Sequence, residues 1–101
     1  PFGKDKKNFI ASFSNIGPEV DFTGPGVAIV STVPGGYAAM DGTSMACPAA
    51  TGIASRYLAA NPSIMKKARN QSRSINMIRL LSKKARQLGF GIEFEGNGII
   101  I

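Results

Sequence analysis

The chain has 101 residues and a mass of 10.6 kDa, with 12 Lys plus Arg against 6 Asp plus Glu and no His. That is room for one small domain, and 44% hydrophobic residues exclude disorder of the low-hydrophobicity kind. One Cys excludes an intrachain disulfide and a multi-thiolate metal site, and any imidazole must come from outside these residues.

The opening PFGKDKKNF is positively charged with no apolar stretch behind it, so it does not read as a signal peptide. A start on Pro1 rather than Met reads as a processed, cut or excerpted chain. No run reaches the ~20 apolar residues of a membrane helix, so no transmembrane segment is expected. Up to Tyr37, Gly and Pro punctuate short β-branched and aromatic runs. Phe9–Ser14, Val20–Thr23 and Val27–Thr32 predict short strands, with turns at Gly17-Pro18, Pro25-Gly26 and Pro34-Gly35-Gly36. VAIVS is apolar almost throughout, which suits a strand covered on both faces.

Ser44–Ala60 changes period. Met45, Ala46, Ala49, Ala50, Ile53, Ala54, Tyr57 and Leu58 fall three or four apart, the stripe of a helix that packs closely through small residues. Pro48 is expected in the first turn only, which sets the helix start near Thr43 and Ser44. Asn61-Pro62 ends it.

From Pro62 to Leu88 eight Lys and Arg residues meet no acidic residue. Ile75, Ile78, Leu81, Ala85 and Leu88 predict one face of a second helix, after a loop at Asn70-Gln71-Ser72. A solvated helix face and an anion-binding surface, for phosphate or anionic lipid, both fit this charge. Without stacking aromatics or a nucleic-acid fold signature, no specific nucleic-acid partner is expected. After Gly89 the glycines return, and Gly96–Ile100 reads as a turn into a final strand. No repeat or dividing linker is present.

GTSMACP, Gly42–Pro48, carries the most chemistry. Gly42 lets the chain turn into a helix, and Ser44 falls where backbone N–H groups lack partners. A serine there either caps the helix or acts as a nucleophile whose oxyanion the first-turn N–H groups stabilise. The surrounding residues bear on that choice. Ala11–Pro62 contains, in order, an FSN…G-P turn, the strand PGVAIVST, the hairpin PGGY and the helix start GTSMACP. This segment resembles the C-terminal half of the subtilisin-like serine proteases, and LGFG and GNGII resemble the closing strand of that fold.

The resemblance implies an α/β fold: part of a mostly parallel sheet with a central helix starting at the nucleophile serine. It implies that residues 1–101 are the C-terminal part of one catalytic domain whose N-terminal part is missing. Ser44 is then the nucleophile of a serine endopeptidase that works through an acyl-enzyme. The partners implied are a peptide or protein substrate and the missing N-terminal part, and secretion is the implied location. The family's triad runs Asp, His, Ser. Asp5, Asp21 and Asp41 stand in no context like that of the catalytic Asp, and Asn8 and Asn15 do not match the family's oxyanion-hole Asn. Lys4, Lys6 and Lys7 have nothing to support them as substitute bases. The isolated chain is therefore expected to be inactive. A catalytically dead fragment with a structural or binding role is the alternative, and a basic nucleic-acid or membrane-surface module is a third class.

Cys47 reads as a small buried hydrophobe, or else as a reactive thiol near the nucleophile. Ala49 stands where the family commonly has a structural His, and Arg56 and Tyr57 interrupt a helix that is often more uniformly apolar. No cofactor is needed for the chemistry. Glu19 and Asp21 resemble one arm of a weaker cation site for structural calcium or sodium, or are two exposed acids beside a turn. Bare sheet edges and an uncovered helix face would make independent folding marginal.

Overall fold

The computed structural model describes residues 7–101. Lys4, Asp5 and Lys6 lie outside the described residues. The elements are β1 (Ile29–Val33), β2 (Gly36–Met40), α1 (Thr43–Ala59), α2 (Pro62–Met65), α3 (Gln71–Lys84) and α4 (Ile92–Glu95).

β1 and β2 form an antiparallel hairpin around Pro34-Gly35, with Ile29 opposite Met40 and Val33 opposite Gly36. The expected strand at Val27–Thr32 starts later, at Ile29, because Ala28 adopts φ 55° and its N–H donates to Asp41 Oδ1 at 2.6 Å. Ladder pairing begins only past that left-handed residue. Nor is the strand covered on both faces: Val30 is 68% exposed and Tyr37, on β2, is 78% exposed.

The expected mostly parallel sheet does not form. Among the described residues the sheet is the two-stranded hairpin. The Pro34-Gly35 turn returns the chain at once, whereas a parallel neighbour needs a crossover of a dozen or more residues. Phe9–Ser14 contains a turn, with Ser14 N–H donating to the Ala11 carbonyl at 3.0 Å, and Val20–Thr23 contributes only single bonds. The expected turn at Gly17-Pro18 is present, closed by Val20 N–H on the Gly17 carbonyl at 3.3 Å.

α1 has the expected register: Met45, Ala46, Ala49, Ala50, Ile53, Ala54, Tyr57 and Leu58 are all half-buried, while Cys47, Pro48, Thr51, Gly52, Ser55 and Arg56 are exposed. None of its residues is fully buried, so it is not the enclosed central helix anticipated. Pro48 is the sixth helical residue, beyond the first turn. It leaves the Ser44 carbonyl without an intrahelical donor, on an exposed face where water can supply one. Thr51 and Ser55 hydroxyls donate back to the Cys47 and Thr51 carbonyls, at 2.8 and 2.9 Å. Asn61-Pro62 ends α1 as expected and opens the single turn α2.

α3 begins at Gln71 rather than after a loop, because Asn70 caps it: its Oδ1 accepts the Arg73 N–H at 3.1 Å. Leu81 is buried on α3, but the helix ends at Lys84, where Ala85 turns extended, so Ala85 and Leu88, expected on its face, lie beyond it; Leu88 is buried there, and Ile75 and Ile78 each stay 41% exposed. With Ile100 and Glu95, the two leucines form the fully buried cluster among the described residues. The segment after α4 is threaded between two others. Ile99 exchanges N–H···O bonds with Arg86 at 2.9 Å each way, Gly98 accepts from Thr23 N–H at 3.0 Å, and Asn97 N–H donates to the Asp21 carbonyl at 2.8 Å. Thus the predicted last strand is reduced to bridging pairs at Ile99, one of them parallel, to Thr23. A Cβ at Gly98 would collide with the Arg86 carbonyl, so the close approach needs glycine there.

The whole is a slab of 39 × 37 × 21 Å with 7046 Å² of accessible surface. A globular chain of this mass exposes about 5,500 Å². Among the exposed large apolar residues are Phe13, Ile16, Val30 and Tyr37.

Candidate functional site

The entry to α1 is built from three segments that converge. Gly42 N–H donates to the Gly26 carbonyl at 2.8 Å, and the Gly42 carbonyl accepts from Met45 and Ala46 N–H at 3.1 and 3.3 Å. A Cβ at Gly26 would sit 3.0 Å from the Gly42 carbonyl oxygen and 3.3 Å from Ala46 Cβ, so the loop before β1 can lie this close only without a side chain. Asp41, directly before Gly42, fixes the other strand end through Ala28. These bonds tie the hairpin base to the helix start.

Ser44 is the second residue of α1 and is exposed. Among the described residues its Oγ makes no hydrogen bond, and no side chain caps this helix. The Thr43 and Ser44 N–H groups likewise have no acceptor among the described residues. Of the two roles open to Ser44, capping is thus not the one it adopts. What remains is a hydroxyl beside unsatisfied donors at the positive end of a 17-residue helix, where developing negative charge is favoured.

A groove of about 630 Å³ runs past this helix start. Gly42, Thr43 and Ala46 form one wall, and Phe13, Phe22 and Phe94 are among the apolar residues of the rest.

Cys47 is exposed, one turn after Ser44, rather than buried as its hydrophobic reading predicted. The short side chain projects from the polar side of α1, where nothing packs over it. Ala49 is half-buried and Arg56 exposed. Tyr57 is half-buried, and its hydroxyl donates to the Ile101 carbonyl at 3.2 Å, which joins α1 to the chain's end. Glu19 and Asp21 are both exposed, and Glu19 lines the groove that runs past the helix start. No third Asp, Glu, His or Cys gathers with them among the described residues. The Asp21 carbonyl already accepts from Asn97 N–H at 2.8 Å and Asn97 Nδ2 at 3.2 Å. A calcium ion takes six to eight oxygens, so these residues supply only part of a shell.

Two acidic residues with structural work escaped the sequence reading. Asp41 reaches across the hairpin base, a partner thirteen positions away that no local pattern marks. Glu95 is 2% exposed, and its oxygens accept Leu88 and Phe90 N–H, both at 2.8 Å. A glutamate in EFEG after a glycine turn gives no sign that it will turn inward.

A serine at the second position of a helix, entered through a glycine and flanked by free N–H groups, belongs to the repertoire of serine hydrolases. The pattern that defines the Subtilase family matches residues 3–95, and the chain belongs to that family of serine proteases. It is 48% identical over 60 residues to alkaline elastase YaB of Bacillus sp. (strain YaB), covering 58% of this chain and 16% of that protein. It is 49% identical over 59 residues to subtilisin NAT of Bacillus subtilis subsp. natto, covering 57% and 16%. Against subtilisin of Bacillus pumilus it is 53% identical over 53 residues, covering 52% and 19%. The aligned part spans about a sixth of the length of these relatives.

Proposed function

We propose that residues 1–101 are the C-terminal part of one subtilase-like catalytic domain, and that the complete protein is a serine endopeptidase with Ser44 as nucleophile. The observation that supports this best is the exposed Ser44 hydroxyl, bonded to nothing among the described residues, beside its own unsatisfied N–H. In the reaction Oγ attacks the scissile carbonyl carbon, and its proton passes to a base supplied outside these residues. The Ser44 N–H stabilises the oxyanion. The carbonyl re-forms, the C–N bond breaks, and the amine leaves with the proton. Water then attacks the ester, the acid product departs, and Oγ recovers its proton.

With no His in 101 residues, the general base and the Asp that orients it belong to the N-terminal part of the domain. That part is also the natural cover for the Phe-lined groove and the open hairpin face. The isolated chain is inactive on this reading: an unassisted serine hydroxyl is a poor nucleophile at neutral pH. Secretion and a structural calcium or sodium at Glu19 and Asp21 are secondary parts of the proposal and rest on family likeness.

The test is activity-based labelling. The complete natural protein is treated with a fluorophosphonate probe and the adduct is mapped by mass spectrometry. Attachment to Ser44, with no adduct in Ser44→Ala, supports the reading. A folded protein, freed of any inhibitory segment, that takes no label at Ser44 is catalytically dead.

A further inference from the structure

α3 is amphipathic twice over. Its inward side places Leu81 in the buried cluster, with Met77 and Leu80 half-buried. Its outward side carries a ridge of residues four apart, Gln71, Ile75, Arg79 and Lys83, all exposed. Ile78, three residues on from Ile75 and three before Leu81, stands at the edge of this side, where it lines a shallow groove with Leu58, Arg69 and Arg73, and both isoleucines are 41% exposed. A helix held by its inner side needs no isoleucine on its outward ridge, and Ile75 stands there between Gln71 and Arg79, with Ile78 at its edge.

The charge around this ridge has one sign. Lys66, Lys67, Arg69, Arg73, Arg79, Lys83, Lys84 and Arg86 lie within a stretch, Pro62–Ile92, that contains no acidic residue. Of the two glutamates that follow, Glu95 is buried and spends its carboxylate on the Leu88 and Phe90 N–H groups. Met65, 46% exposed on α2, adds a further apolar side chain to the basic segment.

We infer that the outward face of α3, with the basic segment leading into it, docks on an anionic lipid bilayer. Cations and aliphatic side chains exposed together on one helix are what an interfacial helix presents: the isoleucines enter the headgroup boundary while Arg79 and Lys83 meet lipid phosphates and carboxylates. Nucleic acid is the weaker fit, because it gains nothing from isoleucine and Pro62–Leu88 holds no aromatic residue to stack on bases. α3 is about 21 Å long, enough to lie along the surface but too short to span it. The inference is independent of the chemistry at Ser44.

The test is co-sedimentation of the complete protein with vesicles of phosphatidylcholine, with and without phosphatidylserine. Partition onto the phosphatidylserine vesicles only, weakened by salt, is the expected result. Arg79→Gln with Lys83→Gln should weaken it on the order of 25-fold, at about fivefold per cation. Ile75→Ser with Ile78→Ser should weaken vesicle binding while leaving retention on heparin unchanged. All four positions are exposed, and an unaltered thermal midpoint confirms that each variant folds. Absence of partition overturns the inference. So does binding indifferent to the isoleucine changes, which is adsorption by charge alone. Preference for duplex DNA or polyglutamate over the vesicles assigns the face to nucleic acid or to an acidic protein instead, and also overturns it.

Discussion

α1 and the closing segment from Leu81 to Ile100 are opposites. The helix has a clean periodic stripe of eight apolar or small residues, and every one is only half-buried. The closing segment takes in the last turn of α3, then runs irregular and glycine-rich with one single-turn helix, and it holds all the fully buried side chains among the described residues. Periodicity decides which side of an element turns inward. Burial depends on whether another segment reaches that side. Around Leu81, Leu88 and Ile100 the chain supplies its own cover, because residues 97–99 bridge to Asp21, Thr23 and Arg86. Over α1 the loop at Gly24 and Gly26 approaches Ala46, Tyr57 bonds to the Ile101 carbonyl and Leu58 faces α3, and this partial cover leaves the stripe half-buried.

The sharpest test of this contrast lies at the helix start. Ser44→Ala in the complete protein should reduce fluorophosphonate labelling and peptide hydrolysis to background while leaving the thermal midpoint within about a degree, since Ser44 makes no bond that the fold uses. A large loss of stability would mean that the serine is structural.

In the closing segment the order reverses, with stability rather than chemistry at stake. Glu95→Ala should cost roughly 3 kcal/mol in denaturant unfolding, because two buried charge-assisted bonds vanish and the Leu88 and Phe90 N–H groups lose their acceptors. Glu95→Gln, which retains one acceptor oxygen, should cost less. Equal and negligible losses would show that the cluster does not depend on this carboxylate. Gly98→Ala should cost about 2 kcal/mol by forcing Arg86 and Ile99 apart, and faster amide exchange at both residues would confirm where the damage falls.

Asp41 links the two ideas, as a stabilising contact next to the candidate nucleophile. Asp41→Ala should cost about 1 kcal/mol, little because the contact is exposed, yet it should slow labelling at Ser44 by loosening the hairpin base. Unchanged labelling would separate the hairpin from the site. The smallest effect is expected from chelation. Glu19 and Asp21 are exposed and short of ligands, so removing calcium should shift the midpoint of the complete protein by no more than a few degrees, and Glu19→Gln should remove that shift.

The helix at Ser44 was legible because a glycine entry, small residues three or four apart and a terminal Asn-Pro all report on the same local geometry. The Pro34-Gly35 hairpin was legible for the same reason. The parallel sheet was inferred from resemblance, and the described residues pair otherwise: β1 meets only the strand that its own tight turn returns to it. Cys47 shows the limit of residue type as a guide to burial. A thiol favours the interior, but this one projects from the outer side of a helix. Ile75 and Ile78 show it again: helical spacing runs through them to Leu81, yet each stays 41% exposed while Leu81 is buried.

By itself the sequence determined the turns at Gly17-Pro18 and Pro34-Gly35, though not the one expected at Pro25-Gly26, the span of α1 with Ser44 at its start, and the family to which its motifs point. These follow from backbone preferences and side-chain spacing within a few residues. Only the tertiary structure decided that Ser44 is free of capping bonds, that Asp41 grips Ala28, that Glu95 is buried and that Ile75 and Ile78 stay partly exposed. Each of those facts depends on which distant segment arrives beside the residue, and on whether that segment brings a hydrogen-bond partner, an apolar surface or nothing at all.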